Sequence, residues 1–447
     1  MFSKILIANR GEIAVRVIRA CRELGIETVA VHSDIEGEAM HSEMADESVC
    51  IGPARVKDSY LNMKNIISAT VLTGAQAIHP GFGFLSENSK FAEMCRECNI
   101  NFIGPSPETI ESMGNKSKAR EIMIASGIPV IPGSDGAVYD SEEALEAAKK
   151  IGFPVMVKAS AGGGGRGIRV VKEEGEFIRA FETAKAEALG AFGDDTMYIE
   201  KFVENPRHIE FQILGDKFGN VIHLGERDCS IQRRNQKVLE EAPSPVMTEK
   251  LRKEMGEMAV KAAKAVNYEN AGTIEFLLDK NGKYYFMEMN TRIQVEHPIT
   301  EMVTGIDLVK EQLRIASGEP LSITQEDVKI TGHAIECRIN AENPAEGFRP
   351  CPGRIETLLV PGGPGVRIDS AVYQGYVISP NYDSMIAKLI TYGKTREEAM
   401  STMRRALGEF VVEGIHTNIE FEFSILNNEA FIKGKYDTGF IGTEFNL

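Results

Sequence analysis

A chain of 447 residues, 43% hydrophobic and 26% charged, has the composition of an ordinary globular protein and enough length for two or three domains. Fifty basic against 65 acidic residues leave a formal net charge of −15, which argues against a general binder of nucleic acid or of membrane surfaces. An anionic ligand would have to be met by local clusters of Lys, Arg or backbone N–H groups. Seven scattered cysteines, an odd count with no secretory segment before KILIAN, point to reduced thiols in the cytoplasm. The lone Cys95-x-x-Cys98 lacks a second ligand pair for zinc and reads as structural thiols. No apolar run approaches the ~20 residues of a membrane span.

The first hundred residues alternate strand and helix: KILIAN, the helix IAVRVIRACRELG with Gly25 as its C-cap, the strand IETVAVHS, and so on to NFIGPS. This predicts an open α/β sheet. The first turn, NRGEIA, is no dinucleotide fingerprint, which weakens a dehydrogenase reading. Beyond Met113 come the helices KSKAREIMIASG and SEEALEAAKKIG, then strands at VMVKAS, MYIEKFV, HIEFQILGD and VIHLGER. The helix TEKLRKEMGEMAVKAAKAVN precedes a hairpin at 272–290, and after 330 short strands lead into a βαβ-like ending at LITYGKTREEAMSTMRRALGEF.

KASAGGGGRGIRVV runs from Lys158 to Val171 with glycines at 162 to 165. Walker and dinucleotide loops pass from a strand into a helix, but here β-branched residues follow the glycines, so the order is strand, glycine loop, strand. That arrangement lays bare backbone N–H groups over ATP phosphates, with Lys158 and Arg166 as flanking charges. The alternative is a plain hairpin with a solvated lysine.

In GTIEFLLDKNGKYYFMEMNTR, Asn281-Gly282 reads as a two-residue hairpin turn. Counting outward pairs Lys280 with Lys283 and Glu275 with Glu288, with Leu277, Phe286 and Asn290 on their face and Ile274, Phe276, Leu278, Tyr285, Met287 and Met289 on the other. Two facing carboxylates repel unless a cation stands between them. Together with an amide oxygen they suit Mg²⁺ or Mn²⁺; the alternative is a half-solvated face that tolerates the repulsion. Behind this pair TRIQVEHPITE carries Arg292, Gln294, Glu296 and His297, and RDCSIQRRNQK carries Arg233, Arg234 and Lys237 as a basic cluster fit for a small anionic second substrate.

Taken together, IANRGEIAVR, HPGFGFLSEN, KASAGGGGRG, ENPRHIEFQ, ERDCSIQRRNQK, EMNTRIQVEHPITE and GHAIECRINAE closely resemble the biotin carboxylase family of ATP-grasp ligases over almost the whole chain. The resemblance implies an α/β architecture with α+β elements. Residues 1–112 would form a Rossmann-like open sheet, 113–330 an ATP-grasp unit with a mobile glycine-rich lid at about 131–203, and 331–447 a C-terminal mixed α/β domain. It implies carboxylation of biotin with bicarbonate, ATP and Mg²⁺ or Mn²⁺, the biotin being carried by a separate biotin carboxyl carrier protein that also serves carboxyltransferase subunits.

Residue by residue, the resemblance makes Lys116 and Lys158 phosphate ligands and the loop Gly163, Gly164, Gly165, Arg166 and Gly167 the cover over the nucleotide. Glu200, Lys201, Val203 and Leu277 would hold adenine, with His208, Gln232 and Gln236 lining the nucleotide site, and Glu275, Glu288 and Asn290 the metal. Lys237, Arg292, Gln294 and Val295 would hold bicarbonate, Glu296 would be the general base and Arg338 the partner of the biotin enolate, with Phe82 and Gly83 beside the biotin. A homodimer through Arg16, Arg19 and Glu23 is also implied, although Pro364 stands where an aromatic residue is frequent. Asn235, Asn115 and Phe82 replace the commoner His, Asp and Tyr.

Met63-Lys64-Asn65 is not a biotin attachment setting, and with the chain ending at Leu447 a stand-alone cytoplasmic subunit is expected, acetyl-CoA carboxylase being the foremost parent and two-subunit pyruvate or acyl-CoA carboxylases the alternatives. Two other readings stay open at this stage: an ATP-grasp ligase joining a carboxylate to an amine, and a nucleotide-binding subunit without turnover.

Overall fold

The structure is a computed structural model that describes residues 1–134, 136–159 and 167–447. Gly162 to Gly165 and Arg166, read above as part of a phosphate cover, lie outside the described residues.

Near the N-terminus, the strands Lys4–Ile7, Glu27–Ser33, Glu47–Gly52, Ala77–His79 and Asn101–Phe102 form a five-stranded parallel sheet, with the first strand at its centre between the second and fourth. Parallel neighbours require crossovers. The first is the helix Gly11–Glu23, which buries Ile13, Ala14, Val17, Ile18 and Cys21. Gly25, at φ +71°, then turns the chain back into the sheet. The expected open sheet is present. Met63-Lys64 opens the helix Met63–Thr73.

A second, smaller core is built on the antiparallel strands Ile168–Val171, Val155–Ala159 and Met197–Lys201. The helices Ser141–Ile151 and Phe177–Phe192 pack on it through Ala144, Ala148, Phe177, Phe181 and Ala184. Asp140 starts the first helix by accepting from the N–H groups of Glu142 and Glu143 at 2.9 and 3.1 Å.

The largest element is an eight-stranded antiparallel sheet. Its strands run in the order Tyr284–Asn290, Asn270–Leu278, Arg207–Gly215, Val221–Arg233, Gln236–Ala242, His333–Asn340, Met385–Gly393 and Val366–Ser370. The sheet therefore passes without interruption across residue 330. The helix Glu249–Ala265 covers Phe211, Ile213 and Phe276. Gly256 lets it come close, since a Cβ there would stand 2.4 Å from His223 Nε2.

Two details differ from the sequence reading. The hairpin at 272–290 closes through a longer turn: Asp279 N donates to Lys283 O at 2.8 Å, and Gly282 sits at φ +80°. Asp279 Oδ1 accepts from the N–H groups of Asn281 and Lys283, so the turn is a three-residue loop with a glycine bulge rather than a two-residue one. This sets the register off by one near the turn. A bulge between Glu275 and Phe276 restores it, so Glu275 does face Glu288 while Phe286 moves to the core face opposite Phe276. The ending also differs. The helix Arg396–Glu409 follows Met385–Gly393 as expected, but Val411–Glu413 pairs antiparallel with Thr357–Leu359 in another sheet, so no βαβ unit forms.

Candidate active site

Sheet register places four charged residues in one row. Arg227 pairs with Glu210, Glu210 with Glu275, and Glu275 with Glu288, on four neighbouring strands. Residues paired in this way share a face of the sheet, so three carboxylates stand side by side and need cations between them. Arg227 serves the first, its Nε 2.5 Å from Glu210 Oε1. Lys237 reaches in from the adjacent strand, with Nζ 2.6 Å from Glu210 Oε2, 3.1 Å from Glu275 Oε1 and 2.6 Å from Glu296 Oε1.

Glu296 immediately precedes the helix His297–Thr304, and its Oε2 lies 2.9 Å from Arg338 Nη2. Arg338 in turn holds Glu240 Oε1 through Nε at 2.7 Å and Nη2 at 2.6 Å. The outcome is an alternating chain of charges, Arg227, Glu210, Lys237, Glu296, Arg338 and Glu240, in a largely buried setting.

Burial pushes each carboxyl here upward, and the neighbours decide which stays ionised. It acts on Glu275, but Lys237 and His208 override it and hold the group well below the usual carboxylate range. It acts on Glu296 too, where Lys237, Arg338 and Arg227 hold the group far below that range. Glu288 behaves oppositely: burial and then the charge of Glu275 raise it, and Lys116, 3.8 Å away, offsets only part. Burial pushes Glu240 up to about 7 in spite of Arg338.

Glu275, Glu288 and Asn290 offer an all-oxygen donor set, and the Glu288 carboxylate meets only Lys116, at 3.8 Å, as a counter-charge among the described residues. Both features fit a hard divalent cation. Asn290 Nδ2 donates to Glu275 Oε1 at 2.9 Å and its Oδ1 accepts from Arg292 Nη2 at 3.2 Å, which keeps the amide in the group. A cavity of about 220 Å³ beside them is lined by Lys116, Glu288, Asn290, Thr291 and Glu87.

The remaining predicted residues fall around this centre. Lys158 Nζ lies 2.5 Å from Glu200 Oε2, across neighbouring strands of the smaller sheet. Lys201 Nζ donates to the carbonyls of Gly152 and Phe153 at 2.8 and 2.9 Å, and half-buried Val203 follows two residues on. Leu277 pairs directly with His208, whose Nδ1 accepts from Gln232 at 2.6 Å. Its Nε2 lies 3.0 Å from Glu275 Oε2. Gln236 is exposed in the hairpin, paired with Arg233. Gly167, at φ +68°, would bring a Cβ within 2.9 Å of Ala159 Cβ.

Arg292 donates to Glu87 Oε2 at 2.9 Å and Gln294 Oε1 at 2.7 Å, and Gln294 Nε2 donates to Glu275 Oε1 at 3.2 Å. Val295 O accepts from Lys388 Nζ at 2.9 Å. The Phe82 ring lies 6.0 Å from that ammonium, and Gly83 is exposed.

The expected basic cluster is not one cluster. Arg234 and Asn235, both at positive φ, form the hairpin turn and are exposed. Arg233 lies 4.1 Å over the Phe348 ring and donates to Gly347 O at 2.9 Å. Alternation along the strands sends Lys237 alone into the site. The sequence reading passed over Glu87, Glu210, Arg227 and Glu240. The period-2 pairing of His208 with Glu210 in HIEFQ was a usable signal for one of them.

Three family models match the chain: "Biotin carboxylase, N-terminal domain" at residues 1–110, "Carbamoyl-phosphate synthase L chain, ATP binding domain" at 115–324, and "Biotin carboxylase C-terminal domain" at 336–443. Among curated relatives, Biotin carboxylase 1 of Bacillus subtilis is 60% identical over 444 residues, covering 99% of each chain. A pyruvate carboxylase subunit from Methanothermobacter thermautotrophicus is 57% identical over 441 residues, covering 99% of this chain and 90% of that one. Among solved structures, the biotin carboxylase domain dimer of Hydrogenobacter thermophilus 2-oxoglutarate carboxylase, in complex with MgADP, ADP and bicarbonate, is 54% identical. It superposes with a TM-score of 0.95 over 100% of this chain and 98% of that one.

Proposed function

The chain belongs to the biotin carboxylase family, and from that premise we propose how its residues divide the ATP-dependent carboxylation of biotin among themselves. The observation that carries the assignment is Glu296, whose two carboxylate oxygens rest on two different cations, Lys237 and Arg338.

Bicarbonate is a poor electrophile and must first be activated. Lys237, Arg292, Gln294 and the Val295 backbone receive it beside Glu296, which takes its proton as an oxygen of the anion attacks the γ-phosphorus of ATP. ADP leaves and carboxyphosphate forms. A contact that Glu296 gives up to the incoming anion raises its proton affinity, so the base strengthens as the substrate arrives. Carboxyphosphate breaks down to CO₂ and phosphate, phosphate takes the N1 proton of biotin, and N1 attacks CO₂. Arg338 stabilises the enolate oxygen that develops on the ureido ring, with Phe82 and Gly83 beside the biotin.

Lys116 and Lys158 bind ATP phosphates. Glu200, Lys201, Val203 and Leu277 hold the base, and His208, Gln232 and Gln236 line the same site. Glu275, Glu288 and Asn290 would hold Mg²⁺ or Mn²⁺, which supplies charge neutralisation on the transferring phosphoryl group.

Biotin presented by a separate carrier protein, and an acetyl-CoA carboxylase setting, are part of this reading; a 57% identity to a pyruvate carboxylase subunit keeps that second acceptor in play. The divisions at 1–112, 113–330 and 331–447 are supported by the similar limits of the three family models. No helix among the described residues is long and apolar enough to cross a membrane. A reduced cytoplasmic setting accords with the buried free thiols Cys21, Cys95, Cys229 and Cys337. The dimer of the 2-oxoglutarate carboxylase domain supports a dimer here. In this chain Arg16 is buried against Glu301 and Asp307, Glu23 meets Lys310, and Arg19 is exposed on the same helix.

The test is ADP release with Mg²⁺ while bicarbonate and free biotin are varied independently. Slow bicarbonate-dependent turnover that biotin accelerates is expected; turnover indifferent to bicarbonate would overturn the assignment.

A further inference from the structure

Lys388 is the one lysine among the described residues whose side chain is fully buried, and its ammonium joins three separate parts of the fold. It sits on the Met385–Gly393 strand with no solvent exposure, paired with Arg338 on one side and Asp369 on the other. Its Nζ donates to Val295 O at 2.9 Å, lies 3.1 Å from Glu12 Oε2, and is 4.0 Å from Asp369 Oδ2. Glu12 belongs to the first turn of the Gly11–Glu23 helix, in the parallel-sheet unit. One side chain therefore links that unit, the 291–296 loop and the strand beside Arg338.

A buried lysine is costly and needs a reason. Charge balance supplies only part of one. Asp369 is already taken by Arg367, through Nε and Nη2 at 2.9 and 2.7 Å. Glu12 is buried, and its only ion-pair partner among the described residues is Lys388. A Gln and a Met at these two places would satisfy packing without any ions. What a Met at 388 could not supply is the donor to Val295 O, which is an irregular-loop carbonyl with no ladder partner among the described residues. The neighbouring carbonyl, Gln294 O, is held locally by His297 Nδ1 at 2.8 Å. Two successive carbonyls behind Gln294, Val295 and Glu296 are thus fixed, one by a nearby imidazole and one by a residue 93 positions away.

We propose that Lys388 is a positioning residue for bicarbonate, fixing the peptide between Val295 and Glu296 from behind, with Glu12 as the counter-charge that keeps its ammonium buried. This rests on the reading of 292–296 as the bicarbonate site. The peptide that Lys388 holds carries the carbonyl of Val295 and the N–H of Glu296, so its tilt sets the aim of the base as well as the shape of the anion pocket. A charge-assisted bond of this kind, lost, is expected to weaken anion binding by about tenfold to a hundredfold.

The single variant Lys388→Met leaves Glu12 buried alone and is expected to fold poorly. The informative comparison is Glu12→Gln against Lys388→Met/Glu12→Gln, both in the full chain. Bicarbonate-dependent ATP turnover without biotin gives KM for bicarbonate and for ATP separately, and thermal melting reports the fold. Glu12→Gln leaves Lys388 its bond to Val295 but only Asp369, at 4.0 Å, as a carboxylate; it is expected to melt below the parent and serves as the reference for both constants. The double variant, which no longer buries an ammonium, is expected to melt no lower than Glu12→Gln but to show a bicarbonate KM about tenfold to a hundredfold above that of Glu12→Gln, with the ATP KM within about twofold. An unchanged bicarbonate KM in the double variant, or an equal rise in both constants, would overturn the proposal. A parent chain whose turnover ignores bicarbonate would instead overturn the site reading beneath it.

Discussion

Lys237 and Glu296 face each other at 2.6 Å, and each is held by a further partner: Glu210 on the ammonium, Arg338 on the carboxylate. Charges so crowded are sustained because they alternate. The arrangement is also poised, since an anion that takes a contact of Lys237 or Arg338 competes for the cations that hold Glu296 down.

Glu296→Gln tests the proposed role of base while keeping the shape. Lys237 retains Glu210 and Glu275, and Arg338 retains Glu240, so no cation is left alone. Bicarbonate-dependent ATP turnover should fall by about a hundredfold to ten-thousandfold. Binding of MgATP, followed by calorimetry, should change little. Turnover within tenfold of the parent would remove Glu296 from the role of base.

Arg338→Gln tests the second half of the chemistry. It leaves Glu240 and one oxygen of Glu296 without their guanidinium, and breaking a buried pair in this way costs about 3–5 kcal/mol when nothing replaces it. The burial-raised Glu240 can take a proton instead, which moderates the loss. Among molecules that fold, biotin carboxylation should drop much more than biotin-independent ATP hydrolysis. An equal loss in both would contradict the enolate role.

How much of this was legible beforehand differs from residue to residue. Glu275 facing Glu288 could be counted from Asn281-Gly282, yet the count was right only because a bulge at Glu275/Phe276 cancels the extra residue in the turn. Turn chemistry at Asp279 was the missing information, and it cost the face of Phe286. Asn115, standing where Asp is commoner, caps the helix Lys116–Ala125 by accepting from Lys118 N at 3.0 Å, a task both residue types perform. Arg227 and Glu240 were invisible because a charged residue in a strand usually faces water, and only the order of the eight strands shows that theirs point inward together. The antiparallel partner of Val411–Glu413 lies more than fifty positions back, beyond the reach of any local pattern.

Glu288→Lys addresses the metal pair. The Glu288 side chain is 39% exposed, and its one ionic contact among the described residues is Lys116 at 3.8 Å, so substitution should shift stability by less than about 1 kcal/mol. It would place an ammonium beside Lys116 and opposite Glu275. MgATP turnover should be abolished with the melting temperature nearly unchanged. A normal rate would disprove the metal assignment.

Glu241 gives the structure a pH signature distinct from that of the active site. It is fully buried on the Gln236–Ala242 strand, where it accepts from His333 Nε2 at 2.6 Å, from Arg396 at 2.6 and 3.0 Å, and from the Tyr436 hydroxyl. Burial alone would raise its pKa, but His333 and Arg396 override that and hold it at about 2. A carboxyl whose folded value lies below its unfolded value of about 4.3 stabilises the fold above that pH, and the contribution fades as pH falls toward the folded value. Glu241→Gln, which leaves Arg396 and His333 facing an amide, should therefore cost about 3–5 kcal/mol at pH 7. Unfolding free energies from urea titrations of parent and variant should differ by a constant amount from pH 7 to about 5 and converge below about 4, at roughly 1.4 kcal/mol per pH unit. A gap that holds its size down to pH 3, or that closes already between pH 7 and 6, would show that the ionised Glu241 is not what ties this part of the C-terminal region to the sheet.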